Sequence, residues 1–277
     1  MNMAIMPVRR NLSFKLNKKK VHDWNGNGLH FTQFLNTLSL FFPAGERFFI
    51  DSVRAYRKDI DDKELLEAVR NFIGQEGLHS REHIEYNQAL VEAGLPIDKY
   101  EEQVKVLLDN LKKVAPRSVQ LAATCALEHL TAIMAKALLE HEHVLEGSDE
   151  RFKALWQWHA LEETEHKGVC FDVYEKMVGT GPAAYTIRVS AFLIANAIFW
   201  SLVIPYHVGV VRTNKRGLDI KGWLKHNKVL WGKDGAFRSV IPEWFSYFRP
   251  GFHPWDDNNS HVLALADILV ERVEKFS

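Results

Sequence analysis

A Glu-x-x-His motif occurs twice in this chain, as Glu76-Gly77-Leu78-His79 and as Glu163-Thr164-Glu165-His166. Each copy lies inside a long stretch whose apolar residues recur with helical periodicity. Residues three apart lie on one face of an α-helix, so each motif can present a carboxylate oxygen and an imidazole nitrogen to the same ion. The repeated motif predicts metal binding.

Two further acidic residues, Glu46 and Glu128, each precede one copy of the motif. The chain order Glu, Glu-x-x-His, Glu, Glu-x-x-His is typical of ferritin-like di-iron and di-manganese carboxylate bundles, in which four helices supply these ligands. A Glu–His pair of this spacing is also common on solvated helix faces, where it contributes little. We favour the metal site because apolar residues surround all four positions, and buried carboxylates and imidazoles persist only when paired or metal-bound.

Composition and charge define the fold class. Apolar residues make up 47% of the 277 residues, the net charge is zero, and no low-complexity linker interrupts the chain. We therefore predict an all-α protein, a ferritin-like four-helix bundle with a di-metal carboxylate core plus extra C-terminal helices. The predicted parts are a basic N-terminal arm at 1–27, the bundle at 28–181 and a C-terminal helical extension at 182–277. The neutral charge argues against nucleic acid as a partner.

Start and stop signals place the helices approximately. A first ligand helix is predicted from about Pro43, with residues 29–42 as an earlier part that breaks at Pro43-Ala44-Gly45. The other predicted helices begin and end near the following residues: 61 or 62 to 93, 97 to 113, 116 to 146, and 149 to 178.

Residues 8–20 hold six Lys or Arg and no acid. The pattern indicates a solvated arm, and attraction to an anionic membrane surface is the alternative. The first residues lack the apolar region of a secretory signal, and a cytoplasmic location is expected.

The segment 189–211 contains 23 residues without a charged side chain, which is long enough to span a bilayer. Asn196, Pro205 and His207 interrupt its apolar character. We therefore expect a helix that is buried against the bundle or lies at a membrane surface, rather than one that spans the membrane. Either position indicates an apolar or amphiphilic substrate.

The two cysteines, Cys125 and Cys170, exclude a disulfide framework. Cys125 lies three residues before Glu128, and Cys170 lies four residues after His166. Both are expected on the metal-facing side, as buried core thiols or as residues next to the ligands.

The fourth ligand helix carries more candidates than a six-ligand site needs. His159, Glu162, Glu163 and His166 share one helical face, so spacing does not separate Glu162 from Glu163. We choose Glu163 because it repeats the motif of the second helix. Glu165 is expected to face solvent.

Three other histidines belong to the candidate set. His159, one turn before Glu163, is a candidate third imidazole. His83, four residues after His79, and His129, next to Glu128, are weaker candidates for residues that surround the ligands.

Three segments carry a family resemblance: Gly74-Gln75-Glu76 with His79 and His83, the run from Ala126 to Ala132, and Trp158-His159 with Glu162-Glu163-x-Glu165-His166-Lys167. In these the chain resembles the bacterial family of predicted metal-dependent hydrolases over most of its length. The spacing His159-x-x-x-Glu163-x-x-His166 is also similar to that of di-iron arylamine N-oxygenases such as p-aminobenzoate N-oxygenase. That likeness implies seven ligands: Glu46, Glu76, His79, Glu128, His159, Glu163 and His166. The C-terminal third has no counterpart in the N-oxygenases, so their substrate does not carry over.

Four carboxylates with two or three imidazoles favour iron or manganese over zinc. The expected function is a di-iron oxidase or oxygenase that uses two Fe ions, O₂ and an electron donor to oxidise a small apolar or amphiphilic substrate. A metal-dependent hydrolase is the alternative, and a non-catalytic iron-binding protein is the third hypothesis. A peripheral membrane contact and a homodimer remain open.

Overall fold

The computed structural model describes residues 5–257, 260–264 and 266–275, and within these ranges the regular structure is helical throughout. The first half of the fold contains five α-helices: α1 (Leu29–Ser39), α2 (Phe42–Arg54), α3 (Lys63–Glu92), α4 (Ile97–Val114) and α5 (Arg117–Glu140). The second half contains seven: α6 (Glu150–His166), α7 (Val169–Met177), α8 (Pro182–Thr213), α9 (Ile220–Trp231), α10 (Ala236–Ser246), α11 (Ser260–Leu263) and α12 (Ala266–Glu274).

Four helices form the bundle that carries the candidate ligands. α2 packs against α3, and α5 packs against α6 and α2. The long α8 lies along α5 and α1, while α10 covers another side of α5. This arrangement confirms the all-α, ferritin-like helical fold predicted from the motif order.

Most helix boundaries agree with the predicted signals, and Asp62 caps α3 by accepting hydrogen bonds from the backbone N–H groups of Glu64 and Leu65. The break between α1 and α2 falls at residues 40–41 and not at Pro43–Gly45 as predicted. Pro43 lies in the first turn of α2, where its missing N–H costs nothing. The helix therefore restarts before the proline.

The two later ligand helices are shorter than predicted. α5 ends at Glu140 and is followed by a single 3₁₀ turn, Glu142–Val144. The stretch predicted as one helix from 149 to 178 is divided into α6 and α7 at Lys167–Gly168. The indole of Trp255 lies so close to Gly168 that a Cβ there would stand 2.5 Å from its Nε1 atom. Packing of the C-terminal region therefore accompanies this break.

The N-terminal arm is packed on the bundle, so the expectation of a solvated arm is wrong. Phe14 and Trp24 are buried, and their rings lie 5.3 Å from Trp158 and 5.0 Å from Phe152. The basic side chains at 18–20 remain exposed. Apolar residues between the cations anchor the arm, because burying large aromatic side chains outweighs the cost of ordering the segment.

Two helices are long and apolar enough to cross a membrane by length and composition alone. In α5, 72% of the most apolar window is buried, as expected of a core helix. In α8 only 22% of the corresponding window is buried. The expectation that this helix is buried against the bundle is therefore wrong, and a position at a membrane surface stays a prediction. Only one side of α8 packs on the bundle, and Leu193 and Ile204 on it are 48% and 61% exposed.

Candidate metal centre

Each bundle helix contributes to one buried cluster of acidic and imidazole side chains. Glu46 lies on α2, Glu76 and His79 on α3, and Glu128 on α5, while α6 carries the remaining three. All seven candidate ligands are buried, with exposed fractions of 3% or less: Glu46, Glu76, His79, Glu128, His159, Glu163 and His166. The structure therefore brings together every residue of the predicted set.

The seven residues form three overlapping groups of three whose ligand atoms lie within 4.8 Å of one another. The groups are Glu46 with His79 and His159, Glu76 with His79 and Glu163, and Glu76 with Glu128 and His166. The groups at the two ends share no residue, and the middle group overlaps both. The arrangement suits two metal ions.

Two carboxylates lie between the two ends of the cluster. Oε1 of Glu163 is 3.0 Å from Nε2 of His159, 3.6 Å from Nε2 of His166 and 3.7 Å from Nδ1 of His79. Oε1 of Glu76 is 3.2 Å from Nε2 of His166 and 3.7 Å from Nδ1 of His79. Glu76 and Glu163, the acidic residues of the two motifs, thus lie near imidazole nitrogens from both ends of the cluster.

Many polar atoms of the cluster are buried without a hydrogen bond to any residue that the structure describes. These atoms are Oε1 of Glu46, both carboxylate oxygens of Glu76 and of Glu128, Nδ1 of His79, and Nε2 of His166. Unpaired buried polar atoms are costly and rare, and several converging on one point are explained by a bound ion. The residues present therefore fit a metal centre.

The electrostatics of the cluster are compatible with a bound cation. Burial and the neighbouring carboxylates raise the pKa of Glu46 and of Glu76 well above the ordinary value, and burial raises the pKa of Glu128 to about 7. Burial lowers the pKa of His166, but the carboxylates of Glu128 and Glu163 outweigh it and raise that pKa well above its usual range. Divalent ions would hold all four carboxylates ionised.

His79 is oriented by Glu162. Its Nε2 atom lies 3.1 Å from Oε2 of Glu162, so a proton on Nε2 leaves Nδ1 free to face the cluster. Glu162 in turn accepts hydrogen bonds from Nε1 of Trp158 at 2.9 Å and from Arg10 at 3.4 Å. Metal-binding histidines are commonly held in this way by a carboxylate. The structure thus separates two residues that spacing could not: Glu163 faces the cluster, and Glu162 supports His79.

His166 is oriented by Gln75. The side chain of Gln75 donates from Nε2 to Oε2 of Glu165 and to the backbone oxygen of Val8, both at 3.0 Å, so its Oε1 accepts from Nδ1 of His166. Nε2 of His166 is therefore free to face the cluster.

Glu165 is 5% exposed, and its predicted solvent-facing position is wrong. The guanidinium of Arg10 contacts both of its carboxylate oxygens, at 2.6 Å and 2.9 Å. A bidentate Arg–carboxylate pair satisfies both groups and makes burial tolerable. The arm thus supplies the charge that keeps Glu165 inside.

His159 heads a chain of buried hydrogen bonds. Its Nδ1 atom lies 2.7 Å from Nε2 of His83, and Nδ1 of His83 lies 2.8 Å from Oγ of Ser39. Ser39 donates to Asn87 at 2.7 Å, so it accepts from His83, and His83 accepts from His159. Nε2 of His159 faces Glu163 at 3.0 Å. In each of the three histidines the outer nitrogen is hydrogen-bonded, which leaves the inner nitrogen available to a metal ion.

The other predicted residues take different positions. Cys125 and Cys170 are buried next to each other, and burial raises the pKa of the Cys170 thiol well above its usual range. His129 is also buried, but its Nε2 atom pairs with the backbone oxygen of Glu243 and its ring packs on Tyr247. It faces α10 and not the cluster.

Sequence reasoning missed several supporting residues. They are Arg10, Ser39, Gln75, Ser80, Asn87, Thr131 and Trp158. Ser80 donates to Oε2 of Glu46 at 2.8 Å, and Thr131 donates to Oε2 of Glu163 at 2.6 Å. Thr131 could have been found, because it lies three residues after Glu128 and on the same helical face. For Arg10 no local signal existed.

A small apolar cavity of about 70 Å³ borders the centre. His159 and Glu163 form its polar end, and Phe42, Met134 and Trp156 are among the apolar side chains that complete it. Any molecule that reaches the cluster from this side meets a wall with few polar partners.

These features define a class: an all-α protein with a buried, four-helix Glu/His cluster suited to two metal ions. Residues 8–258 match a family model described as predicted metal-dependent hydrolase, and the chain belongs to that family. The match covers nearly the whole chain and confirms the first resemblance. No curated protein and no solved structure showed significant similarity to the chain. The likeness to the arylamine N-oxygenases therefore gains no support.

Proposed function

We propose that this chain is a metal-dependent enzyme that holds two ions in the cluster of Glu46, Glu76, His79, Glu128, His159, Glu163 and His166. The observation that carries the proposal is the convergence of buried, unpaired ligand atoms from four helices. Four carboxylates and three imidazoles suit iron or manganese, which accept mixed oxygen and nitrogen ligands.

Oxygen chemistry is our first candidate, and the apolar cavity beside the cluster supports it. The seven residues would hold iron, which when bound would supply O₂-activating chemistry with an external electron donor as the reductant, while the protein supplies orientation and a dry site. Phe42 and Trp156 limit the access of water, since both line the cavity beside His159. Glu162 and Gln75 hold the tautomers of His79 and His166, and Ser80 and Thr131 fix one oxygen each of Glu46 and Glu163.

Hydrolysis is the second candidate, and the family description supports it. In this chemistry the paired ions would lower the pKa of a water and stabilise an oxyanion. Glu162 is a candidate proton acceptor near the cluster, because burial raises its pKa to about 8 although Arg10 opposes the shift. The apolar cavity offers few groups to orient a polar scissile bond, which is why we place hydrolysis second.

The two chemistries separate on their need for oxygen. Purified protein is loaded with ferrous iron without oxygen and then exposed to air while the optical spectrum is recorded. Oxygen activation predicts an oxygen-dependent absorption band in the wild type that is lost or altered in His159→Ala. His261→Ala is the matched control, because His261 is exposed and pairs with Glu140.

Each outcome decides between the candidates. An unresponsive ferrous protein that cleaves ester or amide substrates without oxygen would replace the oxygenase proposal by the hydrolase. A wild-type band in His159→Ala would leave a six-ligand site and remove His159 from it.

A further inference from the structure

A large groove lies between α8, α9 and α10, apart from the metal centre. Its volume is about 890 Å³, within the range of roughly 300–1,000 Å³ typical of small-molecule sites. Apolar side chains such as Leu130, Val203 and Trp200 line its walls. This space is far larger than the cavity at the cluster.

The groove offers few free polar groups. Asn196 donates to the backbone oxygen of Phe192 and accepts from Nε1 of Trp244, and His207 pairs with the backbone oxygen of His30. Among the described lining residues, Nδ1 of His226 has no hydrogen-bond partner and the side chain of Asn227 is exposed. Such a lining suits hydrocarbon and not a polar metabolite.

The edge of the groove exposes large apolar side chains. Leu193, Ile204, Trp231, Ile241 and Phe245 all line it, and each is at least 42% exposed. Apolar residues gathered around one opening mark a binding surface, whereas scattered ones do not.

The groove and the cavity beside the metal centre share four wall residues: Phe34, Met134, Leu230 and Phe237. These side chains form a one-layer partition between the two spaces. Met134 is a flexible thioether and Phe237 is only partly buried, so the partition can yield to a ligand. The groove therefore adjoins the cavity whose polar end is formed by His159 and Glu163.

Charge near the groove points to an anionic ligand head or surface. Residues 212–238, which include α9 and both of its flanking turns, hold eight Lys or Arg and two Asp. Lys233 and Arg238, which lie two residues after Trp231 and one after Phe237 in the chain, are exposed. Clustered cations beside an apolar surface attract anionic amphiphiles and anionic lipid surfaces.

We propose that the groove between α8, α9 and α10 binds the aliphatic chain of an anionic amphiphile and directs it through the four-residue partition to the metal centre. Binding of the amphiphile in the groove does not depend on the proposed function. The role of the bound chain as the substrate rests on the proposed function.

The test uses full-length, metal-loaded protein and parinaric acid, a fluorescent fatty acid. The wild type is expected to bind one acid per chain, and Ala197→Trp, which fills the groove from α8, should weaken binding at least tenfold. Ala183→Trp is the matched control, since Ala183 is also exposed on α8 but does not line the groove. In cobalt-loaded wild type, the acid should also shift the optical spectrum of the metal.

Absent binding by the wild type, or equal binding by Ala197→Trp, overturns the inference, and an unshifted cobalt spectrum overturns the link to the centre. The failure of the proposed function is distinct. Acid binding with no oxygen response in the ferrous protein would support the groove as a binding site and reject the oxygenase proposal. An oxygen response without acid binding would support the oxygenase proposal and reject the groove as a binding site.

A second experiment identifies the source of the bound amphiphile. Protein is sedimented with phosphatidylcholine vesicles that contain or lack phosphatidylglycerol. Binding to the anionic vesicles that is lost in Lys233→Glu/Arg238→Glu, but kept in the control Lys58→Glu/Lys63→Glu, assigns delivery from a bilayer. Acid binding without vesicle binding supports the groove and assigns a free amphiphile as the ligand.

Discussion

Two adjacent carboxylates, Glu162 and Glu163, meet different surroundings although they are neighbours in the chain. Glu163 accepts from Thr131 and lies within 3.7 Å of three imidazole nitrogens. These contacts, with His166 outweighing the effect of burial, hold its pKa well below the usual range. Glu162 contacts the outer nitrogen of His79. The first is placed as a ligand, and the second as its support.

This difference predicts a ranked loss of metal affinity. Glu163→Ala should lower metal affinity the most, because it removes a carboxylate that faces three imidazoles of the cluster. Glu162→Ala should weaken metal affinity by about 10- to 100-fold, the usual effect of removing a group that orients a ligand. Competition with a chromogenic chelator measures both affinities. The reverse order would show that Glu162 is the ligand.

The sequence predicts the positions of the seven cluster residues because helical periodicity carries that information. It does not predict what surrounds them. Glu165 looks solvent-facing from its own helix, yet Arg10 lies 155 residues earlier and encloses it. Gln75 precedes Glu76 in the motif, but its role depends on contacts with Val8 and Glu165. Such contacts between distant segments leave no periodic signal.

At the scale of elements, the break between α6 and α7 illustrates the same limit. Apolar periodicity continues from 149 to 178, so the sequence predicts one helix there. The break at Gly168 lies where the indole of Trp255 packs, and Lys167 lies 4.4 Å from the centre of that ring. Trp255 is 87 residues from Gly168 in the chain, so the apolar periodicity of residues 149–178 does not predict this contact.

Gly168 should therefore not tolerate a side chain. A Cβ at this position would stand 2.5 Å from Nε1 and 2.8 Å from Cδ1 of Trp255, so Gly168→Ala should lower the free energy of unfolding by about 1–3 kcal/mol. Denaturant titration of the metal-loaded protein measures the change.

Gly77 provides the matched control. It lies within α3 and is exposed, and a Cβ at this position would meet no atom of another element within 4 Å. Gly77→Ala should raise the free energy of unfolding by about 0.5–1 kcal/mol, because alanine loses less backbone entropy in a helix. Equal effects of the two substitutions would contradict the packing account of Gly168.

At the scale of the molecule, buried histidines beside the groove couple stability to pH. Burial lowers the pKa of His207 to about 4 and that of His226 to about 3, and the neighbouring histidines add to the shift. Both are neutral in the folded state, while the unfolded chain binds protons near pH 6.5. Stability is therefore full above pH 6.5 and falls as the pH drops toward these lowered values.

Replacing one of these histidines should reduce that dependence. His226→Phe keeps an aromatic ring and removes the proton site. Between pH 6.5 and pH 5, the free energy of unfolding of the variant should therefore decrease by about 2 kcal/mol less than that of the wild type. Urea titrations at both pH values measure it. His261→Phe is the control, since His261 is exposed. Parallel pH profiles for wild type and His226→Phe would exclude His226 as the group responsible.

The most direct test of the central claim is the metal content of the purified, ferrous-reconstituted chain, measured by elemental analysis. Two sets of three buried ligands that share no residue, linked by a third set that overlaps both, predict close to two metal ions per chain. His79→Ala and His166→Ala, which alter opposite ends of the cluster, should each lower that number. A wild type that retains no metal after desalting, or an unchanged content in both variants, would contradict the assignment of the Glu/His cluster as a dinuclear metal centre.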